Sequence, residues 1–328
     1  MSTERFLVTG ALGCIGAWTV RRLVHEGAPV WTYDLPGEPR RLRLIMDEPA
    51  LAKVQFVEGD ITDHARFERA VADNGITHIV HLAALQIPFV RADPVQGARV
   101  NVVGTAIVFE TAKRHAQQVQ GLSYASSIAV YGPPDQYPPS PLSHDAALSP
   151  TTLYGVYKQA NEGMARIYWQ DHRVRSVGLR PYVLYGPGRD QGLTSTPTKA
   201  MLAAALGRPY HISYGGTSVF QYADDCAAAF IRAARVPVDG APTFNLGGNT
   251  AHMQEFVTAI EVAVPEVAGR ITFEPSQLPF PPTIDDSAVY AALGPLHWTP
   301  LIDAVRQTIQ CFREGVRANK FDVEKALL

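Results

Sequence analysis

The sequence predicts an α/β fold, a parallel sheet wound on both faces by helices. Strand-like apolar runs alternate with stretches of helical spacing through the first 180 residues, the pattern of successive βαβ units. A glycine-rich turn, Gly10 to Gly16, joins the first strand to the first helix. Gly10, Asp34, Asp60, Ala83 and Ser127 all fall at the carboxyl ends of expected strands, where such sheets bind their ligands.

Taken in order, Arg5 to Thr9 is the first strand and Ala17 to His25 the first helix. Glycines between them permit the turn, the approach of backbone to a pyrophosphate and close packing of helix on sheet. The helix N-terminus adds amide donors and the positive end of a dipole. Gly10, Gly13 and Gly16 give GxxGxxG, a variation on the usual dinucleotide spacing. Val30 to Asp34 is the second strand, and Asp34 stands 18 residues after Gly16. A carboxylate there accepts hydrogen bonds from ribose hydroxyls and repels a 2′-phosphate, favouring NAD over NADP. Arg40 and Arg41, close behind, argue in the other direction.

Val54 to Val57 is a third strand running into Glu58-Gly59-Asp60-Ile61, and Asp63 caps a helix reaching about Asn74. Thr77 to Leu82 is a fourth strand closed by Ala83 and Ala84, small residues that admit a flat cofactor. Pro94 to Ala116 reads as one long helix, and Val119 to Ser126 as the fifth strand. Ser127 follows, where a hydroxyl can hold a substrate oxygen. The Pro133–Pro150 loop is rich in proline and serine and belongs on the surface. Thr151 or Thr152 caps a helix to about His172 that carries Tyr154 and Lys158, four residues apart and so on one face. A nearby ammonium favours phenolate, which makes this pair a general acid/base. Val174 to Leu179 is the sixth strand. Beyond it lie a polar Gly186–Thr198 segment, helices at Lys199–Leu206 and Asp224–Arg235, a strand at Phe244–Leu246, and loop until a last helix at Leu301–Val316.

Composition excludes several classes. The 328 residues suffice for one large domain and a smaller one. A formal net charge of −2 with no basic run points away from nucleic acid. Cys14, Cys226 and Cys311 are too few and too scattered for a disulfide framework or a metal site. No apolar run reaches the ~20 residues that span a bilayer, and no signal-peptide pattern is visible, so a cytoplasmic protein is expected.

Several motifs occur together: TGALGCIG at Thr9 to Gly16, Asp34, GDITD at Gly59 to Asp63, HLAA at His81 to Ala84, NVVGT at Asn101 to Thr105, SSIAVYG at Ser126 to Gly132, YGVYK at Tyr154 to Lys158, and LRPYVLYGPG at Leu179 to Gly188. In this set and order the sequence resembles the extended short-chain dehydrogenase/reductase family, also called the NAD-dependent epimerase/dehydratase family. FQYADD at Phe220 to Asp225 and LHWTP at Leu296 to Pro300 extend the likeness. The resemblance implies a Rossmann NAD-binding domain over residues 1–180, completed by parts of 220–248, with 181–328 mainly a smaller substrate-binding domain. It implies Ser127, Tyr154 and Lys158 as the catalytic triad. Coenzyme contacts would come from Gly10, Gly13, Cys14, Ile15, Gly16, Asp34, Leu82, Ala83, Ala84 and Asn101. Asp60 and Ile61 would flank the adenine, Tyr154 and Lys158 the nicotinamide ribose, and Pro181 and Val183 the nicotinamide. Gln86, Ser127, Ile128, Arg189 and Gln191 would meet substrate. A homodimer of paired helices is implied, and no metal.

Two departures bear on the substrate. Many sugar-nucleotide members carry an arginine in an RDF-like segment where this chain has Ser218-Val219-Phe220, and a second one where it reads PFPPTIDDS, Pro279 to Ser287. A diphosphate needs charge-assisted donors, so both losses argue against one. Arg189 would serve a single carboxylate or a hydroxyl set, or else pair locally, and Arg91 is a further possibility. Three readings follow: a dehydrogenase for a small sugar, sugar acid or hydroxy acid; an NAD-dependent epimerase or dehydratase; and a non-catalytic dinucleotide-binding protein. Dehydratases of the family often show Asp-Glu after the catalytic hydroxyl residue, whereas Ile128-Ala129 follow Ser127 here.

Overall fold

A computed structural model of the chain describes residues 4–139 and 141–327. Ser140, inside the Pro133–Pro150 loop, lies outside the described residues. Twelve strands occur among them: β1 (Phe6–Thr9), β2 (Val30–Asp34), β3 (Gln55–Glu58), β4 (His78–His81), β5 (Gly121–Ala125), β6 (Val177–Arg180), β7 (Val183–Tyr185), β8 (Tyr210–Ile212), β9 (Thr217–Tyr222), β10 (Thr243–Asn245), β11 (Asn249–His252) and β12 (Ile271–Phe273). Seven of these form the central sheet in the order β10-β6-β5-β4-β1-β2-β3. Every pairing in it is parallel. The fold is Rossmann-like.

Both faces of the sheet are covered, so its strands carry apolar side chains in both directions. In β1, Phe6 and Val8 enter one core with Leu23, Val80 and Phe230. Leu7, between them, enters the opposite core with Phe67, Ile79, Phe109 and Tyr124. This is the two-residue period of a strand. The helices Cys14–His25 and Ala223–Arg235 lie against each other on the first face, and His64–Asp73, Gly104–Arg114 and Leu153–His172 cover the second. Chain direction across the sheet reverses between β1 and β4, and the crevice at their carboxyl ends is where ligands enter such sheets.

The expected long helix over Pro94–Ala116 is interrupted. It runs as Pro94–Ala98, a π-turn at Arg99–Val103, and Gly104–Arg114. Apolar spacing does not reveal an inserted residue in a continuous helix, and π-turns gather at functional sites. Gly104 lets the last part press on Ile61, whose Cγ2 would lie 2.9 Å from a Cβ there.

The C-terminal third is less loop-like than its sequence suggests. β11, β9 and β7 form a small sheet, and β12 pairs with β8. A helix at Met253–Ala263, unanticipated in the sequence reading, starts at a capping box in which the His252 ring accepts from Gln254 N and Glu255 bonds back to His252 N. No helix among the described residues is long and apolar enough to cross a membrane, and no group of three His, Cys, Asp or Glu side chains there could hold a metal.

Candidate active site

A cleft of about 580 Å³ opens at the carboxyl ends of the central strands. Its first wall is the glycine turn. Gly10 has φ +65°, and a Cβ there would lie 2.7 Å from Ala83 N. A Cβ on Gly16 would run into the Gly10 carbonyl oxygen. Gly13 begins the Cys14–His25 helix without a side-chain cap, and no acidic residue occupies its first turn. The positive helix end is therefore left for an anion.

At the tip of β2 the Asp34 carboxylate accepts from Leu12 N at 2.8 Å and Leu35 N at 2.9 Å. Burial pushes its pKa up, against the pull of those amides and of Arg41. Arg41 itself is committed. It donates to Leu12 O at 2.7 Å, Gly188 O at 3.0 Å and Asp190 at 2.6 Å, so it is not a free partner for a 2′-phosphate. Beside it, Tyr33 donates to Asp60 O at 3.1 Å, and Gly59 leaves room for the Tyr33 ring, which a Cβ would strike. Glycine cradle, uncapped helix end and ribose-facing carboxylate together fit a dinucleotide without a 2′-phosphate.

The floor is a fixed hydrogen-bond chain. The Thr9 hydroxyl accepts from Leu82 N and Ala83 N, each at 3.2 Å. It must therefore donate to His81 Nδ1, 2.8 Å away. That leaves the proton of neutral His81 on Nε2, donating to Thr105 at 3.0 Å, and Thr105 donates to Asn101 O at 2.8 Å. Burial, assisted by the Lys158 charge, holds the His81 pKa down at about 3, so the ring stays neutral. Asn101 spends its own amide on Leu85, accepting from N at 2.7 Å and donating to O at 2.9 Å.

Tyr154 and Lys158 come from a helix that Thr152 caps by accepting from Gly155 N at 3.1 Å. Gly155 has no room for a Cβ against the Ala129 carbonyl, and that contact seats the helix on the turn after Ser127. Ser127 accepts from Ala129 N at 3.2 Å, which leaves its own proton free to donate. The Ser127 hydroxyl and the Arg189 charge pull the Tyr154 pKa down, but burial outweighs both and the net shift is upward. This corrects the expectation that the neighbouring ammonium makes the phenol acidic. Lys158 Nζ, 5.6 Å from the centre of the Tyr154 ring, donates to Ala125 O at 2.6 Å. Burial lowers the Lys158 pKa to about 8 against the opposing pull of Glu162. Half its charge is thus gone near pH 8, and Ser127 and Arg189 are the groups that favour phenolate.

Arg189, whose charge is felt at Cys14 in the glycine turn, donates to Gln86 Oε1 at 3.2 Å and Thr194 Oγ1 at 3.1 Å. Ile128, Gln191, Leu193 and Phe280 also line the cleft.

Of the residues singled out in the sequence, Gly10, Gly13, Cys14, Ile15, Gly16, Asp34, Asp60, Ile61, Leu82, Ala83, Ala84, Gln86, Ser127, Ile128, Tyr154, Lys158, Pro181, Arg189 and Gln191 all line the cleft. Three do not. Asn101 is buried beneath it, bracing the Leu85 loop instead of facing a ligand. Val183 points into the core, while Tyr182 and Leu184 on either side line the cleft, as strand alternation requires. Arg91 stands exposed on the Ile87–Ala92 helix. Tyr33, Tyr182, Leu184, Thr194 and Phe280 were not anticipated.

Comparison with known proteins gives a consistent picture. The profile of the NAD dependent epimerase/dehydratase family matches residues 6–247. A UDP-glucose 4-epimerase of Mycolicibacterium smegmatis is 33% identical over 94% of this chain and 98% of its own length. The D-erythronate dehydrogenase of Cupriavidus necator is 32% identical over 61% of each chain. The crystal structure of L-threonine dehydrogenase from Clostridium difficile superposes with a TM-score of 0.81, covering 98% of this chain and all of that one at 20% identity, a likeness of fold.

Proposed function

The chain belongs to the NAD dependent epimerase/dehydratase family, an NAD-dependent enzyme of the extended short-chain dehydrogenase/reductase type, and from that premise we propose that it oxidises a carbinol of a small polar substrate. The observation that carries this reading is the cation count of the cleft. Arg41, Lys158 and Arg189 are the arginines and lysines that line it. The first is held by Asp190 and two carbonyls and the second by Ala125 O. One cation is too few for the two phosphates of a sugar nucleotide.

Ser127 and Tyr154 receive the carbinol oxygen, and Tyr154, as phenolate, accepts its proton. Ser127 donates to that oxygen while Ala129 N holds the serine in place. Lys158, buried beside the phenol ring, orients the ribose. NAD, when bound, would supply the hydride acceptor that lets the alcohol carbon end as a carbonyl. Asp34 and the glycine turn hold the coenzyme.

Epimerisation is the second reading, favoured by the identity to the mycobacterial epimerase over nearly all of both chains. Product stoichiometry separates the two. We expect one NADH per substrate oxidised when sugars, sugar acids and hydroxy acids are screened by absorbance. Interconversion of a sugar nucleotide with no net NADH would replace this reading with the second.

We further infer a homodimer built on the helices Gly104–Arg114 and Leu153–His172, which pack together. Val103, at the entry to the first, and Val156 and Ile167, on the second, are exposed apolar side chains. Light scattering should give twice the 35.7 kDa chain mass. The double substitution Val156→Glu, Ile167→Glu should return it to one chain mass, and a wild-type monomer would refute the inference.

A further inference from the structure

Arg189 is a charged side chain set into the cleft without a counter-charge. No described carboxylate pairs with it. Asp190, its neighbour in sequence, is taken by Arg41 at 2.6 Å and Arg40 at 3.5 Å. Gln86 and Thr194 are neutral and use two of the five guanidinium donors. Arg189 Nε is buried with no hydrogen-bond partner, and so is the hydroxyl of Tyr214, which the Arg189 charge reaches. Buried donors without partners are rare in folded proteins and each calls for an explanation. The guanidinium charge acts on the Cys14 thiol, in the glycine turn, as well as on the Tyr154 phenol. Gln86 fixes its orientation from a separate loop. Gly192, at φ +97°, leaves no room for a Cβ, which would meet Gln86 Oε1 and come within 3.1 Å of an Arg189 nitrogen.

From this arrangement we infer that Arg189, with Gln86 and Thr194, is the recognition site for one carboxylate of the substrate, and that the substrate class is the hydroxy acids, with the reacting carbinol close to the carboxylate. A planar guanidinium suits a carboxylate fork, and a single charge suits a single anion. A neutral polyol leaves the guanidinium unsatisfied, and sites built around a buried polar group reject analogues lacking its partner. The inference rests on the oxidoreductase reading above but can fail separately from it.

The test uses matched pairs of four- to six-carbon sugar acids and the polyols with the same hydroxyl pattern, assayed for NADH with wild type, Arg189→Gln and Arg189→Lys. Wild type should prefer an acid over its polyol by on the order of 100-fold in kcat/KM. Arg189→Gln should erase that preference chiefly through KM, Arg189→Lys should restore part of it, and coenzyme binding, read by NADH fluorescence, should stay within twofold in both. A binding arm needs no turnover: with NADH saturating, D-gluconate should raise the melting midpoint of wild type, D-glucitol should not, and Arg189→Gln should abolish the difference. Polyols oxidised as well as acids, or a gluconate effect unchanged in Arg189→Gln, overturns the carboxylate site and leaves the dehydrogenase standing. Loss of all NADH production together with an Arg189-dependent gluconate effect does the reverse.

Discussion

Replacing Tyr154 by phenylalanine should lower kcat by about 1,000-fold and leave NADH affinity within twofold. The estimate follows from the proposed role of the hydroxyl, which takes the carbinol proton, and a positioned general base contributes roughly 10²- to 10⁴-fold. The ring, by contrast, keeps its packing in the variant. The pH profile supplies an independent check. Burial raises the Tyr154 pKa above its ordinary value of 10.0, so the phenolate is the minority form at neutral pH. Oxidation should accelerate as pH rises and the proton leaves, and slow as pH falls. Ser127 and Arg189 both lower that pKa. Ser127→Ala and Arg189→Gln should therefore move the rising limb to higher pH, on top of any loss in binding. Tyr154→Phe with normal turnover, or a wild-type rate independent of pH between 7 and 10, would remove the phenol from the mechanism.

The parts of this site that were legible in the sequence are those whose placement follows from local rules. A strand ending in Gly10 or Asp34 delivers that residue to the ligand-binding edge of a parallel sheet whatever the rest of the chain does. Tyr154 and Lys158 share a helix face by spacing alone. What escaped was set at long range. In the sequence Arg41 argued for a 2′-phosphate, and in the structure it is held by Asp190, 149 residues away. Tyr182 and Leu184 were hidden by a phase choice: once Val183 is placed on the cleft, alternation turns its neighbours inward, and the structure has the opposite phase. Asn101 lies in a π-turn with its amide bonded to the Leu85 backbone, a long-range pairing that sequence spacing does not show. The Met253–Ala263 helix did leave a signal, since Met253, Phe256, Val257 and Ile260 have the spacing of one buried face. The prolines that follow it and its unusual histidine cap obscured that pattern.

Glu162→Gln should cost about 3 to 5 kcal/mol of unfolding free energy, the range measured when one member of a buried ion pair is removed. Arg180 and Glu162 are 4% and 9% exposed. Arg180 donates to the two carboxylate oxygens at 2.8 and 2.7 Å and to His144 O at 2.6 Å. It also donates to Tyr131, which donates in turn to Asn245 at 2.8 Å, and to Asn245 itself at 3.4 Å. Asn245 reaches Leu142 O at 2.8 Å and Asp285 O at 3.3 Å, so the pair ties the Leu153–His172 helix to β10 and to the segments around Leu142 and Asp285. The charges predict an asymmetry. Among the described residues Glu162 is the only carboxylate that favours the charged form of Lys158; removing it leaves two buried cations, Arg180 and Lys158, without an anion. Arg180→Met, by contrast, leaves Glu162 one helical turn from Lys158 and still bonded by Ser126 at 2.5 Å, so it should cost less. Removing both, Glu162→Gln with Arg180→Met, should recover part of the Glu162→Gln loss because only Lys158 is then unpaired. Urea unfolding of the wild type, the two single variants and the double variant measures the coupling directly. Losses that simply add, or a Glu162→Gln cost below 1 kcal/mol, would show that this network positions the helix without stabilising the fold.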